Sequence, residues 1–146
     1  MNGTETTEPL RVKLTALREA VLNPAALHPP TESLRQMFLS WADRFTVWHL
    51  RLLAFFDDPK GWFTARGRQF PVQMMGSLGQ VLTTAYPELQ SQRAFYDLIV
   101  KDLWACGLMN TDGLHAMMTA GGIEASRTSD LGKQFLNFVS DPNVGN

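Results

Sequence analysis

The stretch KGWFTARGRQFP, residues 60–71, sets three cations, Lys60, Arg66 and Arg68, among Trp62, Phe63 and Phe70, with no acid between them. Cations track a phosphate backbone and aromatic rings stack on bases, so this mixture suits a nucleic-acid strand. The competing reading is a loop between helices, with rings tucked into the core and charges left in water on long stems. Three cations are a small electrostatic footprint, which favours the loop. On that reading, replacing all three by Ser leaves stability nearly unchanged.

The other reactive side chains do not assemble into known chemistry. His28, His49 and His115 are far apart in sequence, and none has a metal-ligand spacing from another His or a carboxylate. His49 falls at the third position of a helix, a place for helix-end packing. Cys106, the single cysteine, ends a helix on its apolar stripe, which suits a small buried hydrophobe rather than a thiolate. Asp57 and Asp58 are adjacent and precede Pro59, so they read as a helix stop. MGSLGQ (75–80) lacks the lysine of a phosphate loop, and no nucleophile-elbow or kinase motif is present. The expectation is a non-enzyme with no cofactor and no metal.

A chain of 146 residues with 45% hydrophobic content suits one compact soluble domain. Thirteen Lys and Arg oppose fourteen Asp and Glu, which excludes a polycation that binds nucleic acid by bulk attraction. The polar N-terminus lacks a signal-peptide pattern, and no apolar run reaches the ~20 residues of a membrane span. One cysteine excludes an intramolecular disulfide. A cytoplasmic protein with no membrane partner is expected.

Periodicity then supplies the elements. Residues 1–8 read as a disordered tail. Leu10, Leu14, Leu17 and Val21 form one stripe of a helix from Pro9, and a Pro-rich break follows at 23–30. A second helix starts near Ser33. A third starts after Thr46, with Phe45 and Leu50 at the spacing of a hydrophobic staple. Residues 9–45 form an N-terminal helical pair packed on the rest. Ser77 and Gln80 open a short helix that Pro87 stops. The strongest helix runs from Gln92 to Cys106, with Phe95, Leu98, Ile99, Leu103 and Cys106 as its inner stripe and Tyr96, Val100 and Trp104 opposite. Gly107 takes the left-handed position of a Schellman ending. Residues 109–127 hold two turn signals, Asp112-Gly113 and Gly121-Gly122. The segment between them is either half of a small β-hairpin or a helical turn. The last helix spans 130–140, capped by Thr128 or Ser129.

From Thr46 onward this order resembles a winged helix, the helix-turn-helix variant with a β-hairpin after its third helix. FTVWHLRLLAFFDDP looks like its first helix, RAFYDLIVKDLWACGLM like its third, and RTSDLGKQFLNFV like the T-x-x-G-x-x-[FL]-[FL] segment that often follows the wing in bacterial winged-helix proteins. The same phrases resemble uncharacterised bacterial proteins with such a module at the C-terminus. The resemblance implies a mainly α fold with a small β-hairpin, in which residues 46–146 form the winged-helix-like module. It also implies that Gln92–Cys106 would be a recognition helix.

That helix is a poor match to DNA. Arg93 and Lys101 are offset by Asp97 and Asp102, whereas a groove-facing helix presents Arg, Lys, Asn or Gln with little negative charge. The stripe of Tyr96, Val100 and Trp104 wants protein. The favoured function is therefore a non-catalytic interaction or regulatory module acting through protein–protein contact, a homodimer with Leu14, Val21, Tyr96, Val100 and Trp104 at the interface. The alternative is a DNA-binding transcriptional regulator that uses the helix Gln92–Cys106 and the adjacent wing. Its contacts would be Lys60, Arg66, Arg68, Gln92, Arg93 and Lys101.

Overall fold

A computed structural model describes residues 3–22 and 30–143. The chain divides into two compact units, one ending at Ser40 and the other beginning at Trp41. Among the described residues the fold is mainly helical, with a small antiparallel sheet of two strands.

The first unit holds α1 (Gly3–Leu22) and most of α2 (Pro30–Arg44). α1 starts ahead of Pro9, which lies inside it. Apart from Pro30, the expected Pro-rich break lies outside the described residues. Leu10, Leu14, Leu17 and Val21 are all exposed.

In the second unit, α3 (Val47–Asp57) begins after Thr46, as the staple spacing predicts. It carries Leu52, Leu53, Phe55 and Phe56, none of which reaches solvent. The next element corrects the sequence reading. Residues 59–65 are not a loop but a helix, α4 (Pro59–Ala65), with Asp58 as N-cap accepting from the Gly61 N–H at 3.0 Å. Asp followed by Pro stops one helix and also starts another, because Pro at the first position loses no hydrogen bond there.

Strand β1 (Met75–Gly76) leads into α5 (Leu78–Ala85), whose cap Ser77 accepts from the Gln80 N–H at 3.2 Å. A 3₁₀ turn, Pro87–Leu89, and Ser91, whose φ is +67°, carry the chain into α6 (Arg93–Ala105). Strand β2 (Met118–Thr119) pairs with β1, and α7 (Ala120–Glu124) follows at once. The expected Gly121-Gly122 turn is thus inside a short helix. The base of the 109–128 segment is closed by an antiparallel bridge between Met109 and Thr128. α8 (Asp130–Ser140) has the predicted bounds, and Ser129 is its cap.

The end of α6 carries the Schellman pattern. Gly107 has φ +78°, its N–H donates to the Trp104 carbonyl at 2.9 Å, and the Leu108 N–H donates to the Leu103 carbonyl at 2.9 Å. The Ser129 N–H then donates to the Leu108 carbonyl at 2.9 Å, which seats α8 against this turn. Gly132 makes the approach possible. A Cβ there would overlap the Leu108 carbonyl oxygen and stand 2.7 Å from Thr128 Cγ2.

Two glycines with different physical roles give a paired test. Gly107→Ala is expected to cost about 1 kcal/mol, because only the left-handed backbone opposes a side chain there. Gly132→Ala is expected to cost more, roughly 2–3 kcal/mol, because backbone must move. Urea unfolding followed by circular dichroism measures both, and equal losses would remove the distinction.

Candidate functional site

α6 is turned by part of a revolution from the stripe read in the sequence: Ile99 and Leu103 are buried as expected, while residues at the two edges of that stripe change places. Tyr96 and Val100, expected outside, are buried at 6% and 0% exposure, while Phe95 and Leu98, expected inside, stand at 37% and 59%. Both stripes are apolar at helical spacing, so periodicity alone could not orient the helix. Trp104 does face outward, at 50% exposure. The exposed apolar surface is thus Phe95, Leu98 and Trp104, with Ala94 and Ala105 beside them. Of the candidate interface residues, Trp104 lies on this surface, Leu14 and Val21 are exposed on α1, and Tyr96 and Val100 belong to the core.

Tyr96 shows what the inner face does. Burial, then the neighbouring Asp97 carboxylate, raises its phenol above the usual value near 10. A phenol of this kind stays protonated through the neutral range. Its favourable contribution is complete below pH ~10 and is lost as pH climbs through the raised value.

The basic candidates have partners inside the chain. Lys60 Nζ is 3.5 Å from Glu124 Oε1. The Arg66 guanidinium lies 3.9 Å over the Trp62 ring and donates to the Trp62 carbonyl at 2.9 Å. Arg68 reaches the C-terminus of α5, donating to the Thr84 carbonyl at 2.9 Å and the Ala85 carbonyl at 3.5 Å, and it also lies over the Phe63 ring at 5.0 Å. A cation at a helix C-terminus meets unsatisfied carbonyls and the negative end of the dipole. The three charges are exposed, while Trp62 and Phe70 are half-buried and Phe63 is buried. On α6, Arg93 Nε is 3.5 Å from Asp97 Oδ2, and Gln92 and Lys101 are exposed.

His49 is committed to structure at both ring nitrogens. The Thr46 backbone N–H donates to Nδ1 at 3.1 Å, so Nδ1 is an acceptor and Nε2 carries the proton. Nε2 donates to Asp102 Oδ2 at 3.0 Å, which ties the start of α3 to α6. The Phe45 ring stacks on the imidazole at a centroid distance of 4.6 Å. Arg44, Asp102 and Cys106 line a cleft of about 490 Å³ beside it, with Arg44 Nη2 donating to Cys106 Sγ at 3.3 Å. Both ring nitrogens of His49 are thus occupied by helix-joining contacts.

Ser126, Lys133 and Asp57 also meet. Lys133 Nζ donates to Asp57 Oδ1 at 2.6 Å and to Ser126 Oγ at 3.1 Å. This contact ties α3 to α8. Among the described residues no group of three or more His, Cys, Asp or Glu could hold a metal ion, and no helix is long and apolar enough to cross a membrane. Compared with protein-family models, with curated proteins and with solved structures, the chain matches none.

The contacts of Arg68 change the expected effect of removing the three cations. Arg68→Ser should cost about 1 kcal/mol, through the carbonyls it leaves at the end of α5. Lys60→Ser and Arg66→Ser should each stay within about 0.5–1 kcal/mol, as exposed pairs and stacks do. Chemical denaturation of the three single variants checks this. Equal and negligible losses would restore the view that all three are merely solvated.

Proposed function

We propose that this chain is a non-catalytic interaction or regulatory module that works by self-association through the outer face of α6. The observation that carries this reading is the exposure of Phe95, Leu98 and Trp104 on one helix whose inner face is already filled. Burying side chains of this size is worth about 1.5–3 kcal/mol each. A second copy of the chain would set two such faces against each other about a two-fold axis.

A standard interface takes about 800 Å² from each partner, more than one face of α6 supplies. The exposed stripe of Leu10, Leu14, Leu17 and Val21 on α1 is a further apolar surface of the same chain. The winged-helix resemblance keeps a DNA-binding regulator as the competing proposal. The carboxylates of Asp97 and Asp102 on the flanks of α6, and the engagement of Arg93 by Asp97, weigh against it.

Sedimentation velocity over a range of concentrations tests the reading. The wild type is expected to sediment as a dimer at tens of micromolar, and Leu98→Glu and Trp104→Ala as monomers with unchanged circular dichroism. A wild type that stays monomeric there, or a Leu98→Glu variant that dimerises as before, would remove the α6 interface. Micromolar binding to random duplex DNA with a steep salt dependence would favour the competing proposal.

A further inference from the structure

We propose that the groove between α3 and α8 is a docking site for an amphipathic helix of a partner protein, one that carries carboxylates along its flanks. The groove has a volume of about 430 Å³ and lies wholly within the second unit. Its aliphatic lining comes from both helices: Val47, Leu50 and Ala54 on α3, Leu136 and Val139 on α8. Val47 is 59% exposed. Trp62 and Tyr86 contribute rings, 5.3 Å apart between centroids, and Arg51 and Arg66 contribute charge. Among the described residues, no acidic side chain lines it. In a chain with nearly equal numbers of acids and bases, two cations without an acid are a local departure.

The occupant follows from what the lining offers. An aliphatic trough between two helices accepts a ridge of apolar side chains at i, i+3, i+4 and i+7, the pattern of helix-in-groove recognition. The arginines set the sign of the flanks. The Arg66 guanidinium lies 3.9 Å over the Trp62 ring and Arg51 lies 4.9 Å over the Trp48 ring. Stacking holds each fork in place and leaves in-plane N–H groups for a carboxylate. The same stacking disfavours a nucleic-acid strand, because the Arg66 guanidinium already covers a face of the Trp62 ring that a base would need. The outer face of α6 contributes nothing to this groove, so the inference does not rest on the self-association reading.

The test is a titration of the full chain against a fluorescein-labelled helical peptide with leucines at i, i+3, i+4 and i+7 and glutamates on its flanks, followed by anisotropy. Indole N–H resonances are recorded in parallel, that of Trp62 being assigned through Trp62→Phe. The glutamate peptide is expected to bind and to shift the Trp62 resonance. A peptide scrambled to break the leucine stripe, and one with lysine for glutamate, should bind at least about tenfold more weakly. Arg51→Glu with Arg66→Glu, and separately Val47→Asp, should weaken binding by a similar factor while the thermal melt is retained. All three positions are exposed, so the folded chain tolerates the changes. Three results would overturn the proposal: the glutamate peptide binding no better than its scrambled control; binding that survives both sets of substitutions; or oligo-dT binding more tightly and being lost in the same variants, which would make the groove a nucleic-acid site.

Discussion

The carbonyl of Leu108 is the point on which three elements of the second unit depend. It belongs to the residue that closes α6, it accepts the Ser129 N–H at the mouth of α8, and it occupies the space a Gly132 side chain would fill. Ser129 reinforces the joint from the other side. Its hydroxyl donates to the Gly107 carbonyl at 2.6 Å and accepts the Gly132 N–H at 3.0 Å. Helix ends leave carbonyls and N–H groups without partners. Here the C-terminus of one helix and the N-terminus of another satisfy part of each other's deficit. The 109–128 segment leaves and returns through this joint, and that fixes where its base must sit.

α3 is the shared wall for everything else. Its buried residues face both α6 and α8, and its backbone also takes part. The Thr128 hydroxyl, buried at 2% exposure, donates to the Leu53 carbonyl at 2.7 Å, and the Arg127 N–H donates to the Phe56 carbonyl at 2.8 Å. These bonds seat the returning arm of the 109–128 segment on α3 itself. Aromatic rings fill the remaining angles. Phe135 of α8 meets Trp41 and Phe45 edge-on at 5.9 Å each, and Phe55 meets Trp62 edge-on at 5.4 Å. These inner contacts account for the buried faces of α3, α6 and α8.

Much of this was legible in the sequence, and the failures have physical causes. The mainly helical class, the caps at Thr46, Ser77 and Ser129, and the left-handed Gly107 all followed from local chemistry. Local chemistry does not depend on what packs where. Orientation does: Ile99 and Leu103 of α6 are inside as the sequence suggests, but Phe95 and Leu98 on one edge and Tyr96 and Val100 on the other are all apolar, and only tertiary contacts choose between them. α4 was missed because Asp58-Pro59 was credited with ending a helix and not with beginning one. β1 was invisible because two residues of a strand have no period. At the candidate sites, the sequence identified Trp104 and the exposed charges of 60–71. It could not show that Arg68 caps α5, or that Leu136 and Val139 come beside Val47 and Leu50, because those contacts join distant parts of the chain. The resemblance to a winged helix remains a property of the order of parts.

The small sheet has a consequence for the order in which the fold assembles. Met75 and Gly76 pair with Thr119 and Met118, and α5 and α6 lie between the two strands. Closing so long a loop costs entropy, and a ladder of two residues on each side returns few hydrogen bonds for it. Such a sheet has no means of nucleating the chain. It forms once the helices on either side have docked and brought its edges within reach, so its pairing belongs to the late, fast-unzipping part of the folding reaction. The same economy makes it a place where the folded chain opens locally, at a free energy below that of global unfolding. Amide exchange at Ala120, whose N–H reaches the Met74 carbonyl at 2.9 Å beside the sheet, would therefore run ahead of exchange in the middle of α3.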